Sequence, residues 1–254
     1  MIDRSGTPLV EMRDMQKAFG GIRAVDHVTI DLHPGEVVGV LGHNGAGKSV
    51  LMKMLSGALM RDAGEIYIEG EQADIRNPRD ARRYKIETIY QYLALADNLD
   101  AASNLFLGRE LVTRTGLLDE AAMEAETRTI MGRLTPNFRR YNTPVSGLSG
   151  GQRQSVAISR AVYFNAKILI MDEPTAALGV EESQMVAELI DELKKQGIGI
   201  FLIDHDIHQV KQLCDRASVM KNGKLVGTVD VAEASEDDLL SMIILGKTPE
   251  RLGA

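Results

Sequence analysis

The sequence predicts an α/β protein with a doubly wound core, and three observations carry that prediction. Three short apolar runs, Val37-Val38-Gly39-Val40-Leu41, Ile168-Leu169-Ile170-Met171 and Ile198-Gly199-Ile200-Phe201-Leu202-Ile203, are continuous rather than alternating, the pattern of parallel strands buried on both faces. Segments of helical period follow the first run and separate the other two, so strands and helices alternate. A chain of 254 residues is long enough to bury most of its apolar surface in one such core with a sizeable insertion.

Taken in order, residues 9–32 mix short polar and apolar alternations around Gly20-Gly21, and residues 64–70 alternate between two glycines. Both segments predict an antiparallel sheet with one wet face. Ser49 to Ala58 follows as a helix with Leu51, Met54 and Leu55 inward. From about 93 to 162 the strand-like runs disappear, and Asp119 to Leu134 carries Met123, Ile130 and Leu134 at helical spacing, which predicts a mostly helical insertion. Glu181 to Gln196 sets Met185, Leu189 and Leu193 on one stripe and is stopped by Gly197. Late in the chain Ala217–Met220 and Leu225–Val229 flank Asn222-Gly223, a strong hairpin signal. The stretch from Ala234 to Ala254 is acidic, then weakly helical. One domain over 1–254 is expected, with a core at about 9–92 and 163–230, a helical subdomain at about 93–162 and a tail at 231–254.

Composition narrows the function classes. The 29 Lys and Arg against 36 Asp and Glu leave a net charge of −7, so no basic face for a phosphate backbone shows in the totals and no nucleic acid partner is expected. An apolar fraction of 44% and a charged fraction of 26% exclude disorder and collagen-like repeats. The single cysteine, Cys214, excludes an internal disulfide and a Cys-rich zinc site, and with no secretory-type start a cytosolic compartment is expected. The apolar runs fall far short of the roughly 18 residues of a membrane span, so work at a membrane requires another anchor.

Directly after the first buried run stands Gly42-His43-Asn44-Gly45-Ala46-Gly47-Lys48-Ser49, which fits the phosphate-binding pattern G-x-x-x-x-G-K-[ST] and is followed by Val50. Its glycines let successive N–H groups turn inward around a phosphate, and the next helix adds its positive end. Lys48 would reach the β- and γ-phosphates, with the Ser49 hydroxyl on Mg²⁺. The second buried run delivers Asp172 and Glu173 at its carboxyl end, where ligands of open α/β sheets bind. Asp172 is placed to hold Mg²⁺ through its water shell and Glu173 to polarise an attacking water. The third run ends in Asp204-His205-Asp206, and His205 suits a donor to the γ-phosphate. His208 forms H-x-x-H with it, but Ile207, Val210 and Leu213 mark that helix's buried stripe, which argues against a metal pair. In Leu148-Ser149-Gly150-Gly151-Gln152, Ser149 and Gln152 form a capping box, and the two glycines within it leave N–H groups uncovered as a second anion-ready helix terminus.

The phosphate loop, Leu148-Ser149-Gly150-Gly151-Gln152, the 168–173 strand with its two acids, and His205 stand in the order and spacing of ABC-type ATP-binding subunits. The chain resembles that family over roughly residues 9 to 230. The resemblance implies a P-loop NTPase core with an N-terminal antiparallel β-subdomain and an inserted α-helical subdomain. It implies adenine stacking on Phe19, and a role for Gln91 in sensing Mg²⁺ and water and relaying to a membrane subunit. It also implies that two copies, or a copy and a paralogous subunit, sandwich ATP between the P-loop of one and the Ser149-Gly150-Gly151-Gln152 segment of the other.

Asn104 to Glu110 and Thr175 to Gly179 resemble the monosaccharide-uptake branch of bacterial importers, the ribose, xylose and fructose type. That branch implies transmembrane permease subunits, indirectly an extracytoplasmic solute-binding protein, and a peripheral place on the cytoplasmic face of the inner membrane. Three positions depart from the family pattern: Gly179 where Asp is usual, Tyr92 after Gln91 where an acid is more usual, and Phe19 for Tyr. The alternative reading is a soluble non-transport ABC ATPase, or the ATPase of another importer or an exporter.

Overall fold

The computed structural model describes residues 4–176 and 178–252. Ala177, in the segment read for its branch resemblance, and the last two tail residues lie outside the described residues. The chain divides into two compact units.

The first unit comprises residues 1–88, 167–173 and 193–254. Its antiparallel sheet has the order β2-β1-β4-β5, from β1 (Val10–Phe19), β2 (Ile22–Leu32), β4 (Ala63–Ile68) and β5 (Glu71–Gln72). Its second sheet has the order β10-β9-β3-β8-β7-β6, from β3 (Val37–Leu41), β6 (Ile86–Ile89), β7 (Ile168–Asp172), β8 (Gly199–Ile203), β9 (Arg216–Lys221) and β10 (Lys224–Asp230). The pairs β3·β8, β3·β9 and β7·β8 are parallel and β9·β10 is antiparallel. All five residues of β3 and of β8 are buried, which explains their unbroken apolar sequence. Met12, Met15, Ile30 and Ile66 of one sheet share a core with Val38, Val40, Ile170 and Phe201 of the other.

The β9–β10 hairpin turns at Asn222 (φ 49°) and Gly223 (φ 80°), the left-handed pair expected of Asn-Gly. Helix α1 (Lys48–Leu55) buries Leu51, Met54 and Leu55 as expected but stops before Ala58, with Ser56 as its C-cap. Helix α2 (Pro78–Arg83) has no counterpart in the sequence reading, although Asn77 caps it and Pro78 occupies its first turn. Two further helices, α7 (Ile207–Leu213) and α8 (Glu236–Leu245), complete this unit.

The second unit comprises residues 89–166 and 174–192. Helices α3 (Ala101–Phe106), α4 (Glu120–Leu134) and α5 (Gly150–Tyr163) pack around Leu105, Phe106 and Met123, with Phe106 edge-on to Tyr163 at 4.8 Å. In α4 the buried positions are Met123, Thr127, Met131 and Leu134, while Ile130 is half-buried. Helix α6 (Val180–Lys195) enters this unit and ends in the first. Its buried stripe is Val186, Leu189, Ile190 and Leu193. Met185, expected inward, is exposed: the i, i+4 spacing to Leu189 fits two neighbouring faces, and the larger apolar set places the stripe one position later.

Candidate functional site: a phosphate loop beside two strand-end acids

Strand β3 ends at Leu41 and the chain turns through Gly42–Gly47 into α1. Gly42 (φ 147°) and Gly47 (φ 105°) have backbone that L side chains rarely adopt, and a Cβ at either would lie 2.3 Å from a carbonyl oxygen, of Met220 and Ala24 respectively. Glycine is therefore required twice, by conformation and by the close approach of β9 and β2. Ala46 N–H donates to the His43 carbonyl and Gly223 N–H to the Ala46 carbonyl, which fixes the loop from within and from the hairpin. Helix α1 has Gly47 as N-cap, no capping side chain and no acid in its first turn, so no side chain of its own answers its first amides.

Lys48 opens that helix and is buried, its Nζ donating to the carbonyls of Gly42 at 2.6 Å and His43 at 3.2 Å. Burial pushes its pKa below the usual lysine value, against the pull of Glu173, Asp172 and Asp204. The acids come from the carboxyl ends of β7 and β8. Burial, and then the neighbouring Glu173, hold the Asp172 carboxyl above the usual range. Burial likewise raises Asp204, whose Oδ1 accepts from the N–H groups of His205 at 2.7 Å and Asp206 at 2.9 Å.

Glu173 has φ +47°, its N–H donating to the Ile203 carbonyl, so the turn after β7 is fastened to β8. A non-glycine residue in that region is strained, and such strain concentrates where side-chain direction matters. Glu173 Oε1 lies 2.7 Å from His205 Nδ1. Two parallel strands thus bring together a carboxylate and an imidazole that are 32 residues apart in sequence, and the imidazole remains exposed. Phe19 lies at the end of β1, beside the Gly20-Gly21 turn, with its ring half exposed and Lys17 Nζ 5.6 Å from the ring centre.

Gln91 and the Ser149-Gly150-Gly151-Gln152 segment belong to the second unit. Gln91 is exposed just after β6, and Tyr92 beside it is 88% exposed. Ser149 caps α5: its Oγ accepts from Gln152 N–H at 3.3 Å and Gln152 Oε1 accepts from Ser149 N–H at 3.1 Å. That is the reciprocal box read from the sequence. Gly179 is exposed with open space where a Cβ would stand. His208 is exposed, with Nδ1 3.4 Å from Glu236 Oε1.

A family model described as ABC transporter matches residues 25–176. The xylose/arabinose import ATP-binding protein of Sulfolobus acidocaldarius is 43% identical over 94% of this chain and 96% of its own length. The chain belongs to the ABC transporter family. The fructose import ATP-binding protein of Rhizobium meliloti is 41% identical over 96% of each chain. The ribose import ATP-binding protein of Burkholderia ambifaria is 42% identical over 94% of this chain, which spans 47% of that longer relative. Among solved structures, an ATP-binding cassette of an ABC transporter in its ADP conformation aligns with TM-score 0.79 and 26% identity, covering 93% of this chain and 94% of that one. A nucleotide-free cassette at TM-score 0.78 and 24% identity has the same fold. The α/β core expected from three buried runs is therefore an ABC cassette fold, and the chain is an ATPase domain of that family that binds nucleotide.

Among the described residues no helix is long and apolar enough to cross a membrane. No group of three or more His, Cys, Asp or Glu side chains able to hold a metal is present among them either. The phosphate corner nevertheless fits Mg²⁺, which takes one or two protein oxygens, several waters and phosphate oxygens rather than a protein cage. Burial first, and then the Glu173 charge, raise the Asp172 carboxyl, and a hard dication beside it would offset both.

Proposed function

We propose that this chain is the ATP-hydrolysing, energy-coupling subunit of a sugar importer. It works at the cytoplasmic face of the inner membrane with transmembrane permease subunits and, through them, an extracytoplasmic solute-binding protein. The observation that carries the reading is the Glu173–His205 pair, at 2.7 Å, on the strand ends beside the Lys48 loop. Family membership and the import function in the names of three relatives support the coupling role.

In this reading the Gly42–Gly47 amides and Lys48 cradle the β- and γ-phosphates, and Phe19 stacks on the base. Ser49 and Asp172 would hold Mg²⁺, which when bound would neutralise phosphate charge; the resemblance adds a sensing role for Gln91. Glu173 accepts a hydrogen bond from the attacking water and directs it in line at the γ-phosphorus, while His205 keeps the Glu173 carboxylate aimed and donates to the γ-phosphate. Phosphoryl transfer needs little covalent help from protein, so this arrangement acts by positioning and by charge. The capped Ser149-Gly150-Gly151-Gln152 terminus of a second copy, or of a paralogous subunit, closes over the same γ-phosphate. The contact is isologous, so two ATP molecules are held per pair.

The test is the mass of the Glu173→Gln variant by light scattering with and without Mg·ATP, beside phosphate release by the parent. An ATP-dependent shift from monomer to dimer with phosphate release abolished is expected. Undiminished turnover in Glu173→Gln would refute the role of Glu173.

A further inference from the structure

Within the second unit the Ser149-Gly150-Gly151-Gln152 terminus of α5, the signature terminus, already lies against an anion, and it comes from the chain itself. Glu182, in the first turn of α6, lies against Gly150 and Gly151, and the Ser149 side chain first, then the backbones of Gly179, Gly151 and Gly150, hold its carboxyl below the usual carboxylate range. The Gly179 N to Glu182 Oε2 distance is 3.3 Å. The two signature glycines make room for this: a Cβ on Gly150 would lie 3.3 Å from Glu182 Oε2, and one on Gly151 would lie 3.2 Å from the Glu182 Cβ. Ser149 Oγ meanwhile accepts from Gln152 N–H within the capping box.

We propose that the Glu182 carboxylate is an internal competitor for the Ser149-Gly150-Gly151 terminus, a residue that the γ-phosphate presented by a second copy must displace. The inference rests on the sandwich reading above and adds to it the residue that sets how much triphosphate the sandwich needs. A carboxylate and a phosphoryl oxygen use the same donors, and charge-assisted bonds to N–H groups are the stronger kind. Two anions on one terminus repel, so closure requires Glu182 to swing away, and its partly exposed side chain has water to swing into. Its affinity for the terminus is subtracted from that of the incoming phosphate, as in any equilibrium in which the competent state is only a fraction of the total. The acid-free first turn of α5 supplies no substitute anion once Glu182 leaves.

The experiment compares Glu173→Gln with Glu173→Gln/Glu182→Gln and Glu173→Gln/Glu182→Ala, measuring by light scattering the Mg·ATP concentration at half dimerisation. Removing the competing charge is expected to lower that midpoint by roughly threefold or more in both double variants. In Glu182→Gln with Glu173 intact, KM for ATP falls with kcat retained. Amide shifts of Gly150 and Gly151 in the nucleotide-free protein move on Glu182→Gln, which reads the contact without any dimer. An unchanged or raised midpoint, or a loss of kcat without a fall in KM, overturns the proposal and leaves the sandwich standing. A Glu173→Gln parent that stays monomeric with ATP bound overturns the sandwich, and the inference with it.

Discussion

Arg216 opens β9, and its guanidinium is clamped between two carboxylates. Nε and Nη2 donate to Glu36 at 2.8 and 2.9 Å, and Nη1 and Nη2 donate to Asp31 at 3.1 and 2.9 Å. The Glu36 side chain is 0% exposed and also receives Arg4 Nε at 2.9 Å and the His33 N–H at 2.9 Å. The group therefore ties β2 of the antiparallel sheet and the turn before β3 to β9. In Arg216→Ala the buried Glu36 keeps only Arg4 and one amide. Breaking a buried pair by removing one partner costs about 3–5 kcal/mol, because a charge stays behind unpaired. The residual Arg4 contact sets the expectation at about 3–4 kcal/mol, with at most about 1 kcal/mol more from Asp31, which is a third exposed. For a chain of this length each kcal/mol moves Tm by about 2–4 °C, so calorimetry of the nucleotide-free protein should show a fall of roughly 6–20 °C. Glu36→Gln added to Arg216→Ala should recover at least half of it, since an amide leaves no orphaned charge. A fall below about 2 °C, or no recovery in the double variant, would refute the assignment of the cost to the stranded Glu36 carboxylate.

Lys48→Ala should lower ATP turnover by roughly 10²-fold or more, measured by phosphate release, because its charge is aimed at the transferring group. Gly47→Ala combines φ 105° with a Cβ 2.3 Å from the Ala24 carbonyl oxygen; circular dichroism melting should report a loss of about 2 kcal/mol or more together with lost nucleotide binding. Asp172→Asn should raise the Tm of the nucleotide-free protein at neutral pH while abolishing turnover. A carboxyl raised in the fold stabilises below its unfolded value of 3.8 and loses that contribution as pH rises through its folded value, so the Asn variant's advantage should be full at neutral pH and gone below about 3.8. Melting curves at several pH values check the sign.

Legibility followed burial and locality. Strands β3, β7 and β8 were legible because burial on both faces makes their sequence solidly apolar, and the Asn222-Gly223 turn because φ above zero at two successive residues selects few residue types. Strand β6 has four residues and no periodicity to read. Helix α2 announced itself only by the Asn77-Pro78 cap, a start signal without an apolar stripe behind it. Met185 shows the limit of spacing alone, since its distance from Leu189 fits a helix face that the packing leaves in water. In the candidate site the phosphate loop, the two acids and the capping box are linear patterns with local causes. The Glu173–His205 contact, the burial of Asp204 and the approach of Glu182 to Gly150 and Gly151 depend on which strand ends and turns meet in space. No spacing in the chain encodes those meetings.

The charges at the phosphate corner are arranged against the stability of the free protein. Lys48 is buried and held below the usual lysine range, Asp172 and Asp204 are pushed above the usual carboxylate range, and Glu173 occupies strained backbone. Each departure costs the unliganded fold, and in the proposed mechanism two of them are offset by bound groups: phosphate oxygens for Lys48 and a dication for Asp172. On that proposal nucleotide binding draws on strain already stored in the fold, and hydrolysis, by removing the γ-phosphate, returns the corner to its frustrated state. At the signature terminus the balance runs the other way, with Glu182 satisfying the helix end while no nucleotide bridges two copies. One ligand end is thus under-satisfied and the other over-satisfied in the free chain. If two copies close over ATP as proposed, the ATP concentration at which they do so is set by the difference between those two terms, which Asp172→Asn and Glu182→Gln move separately.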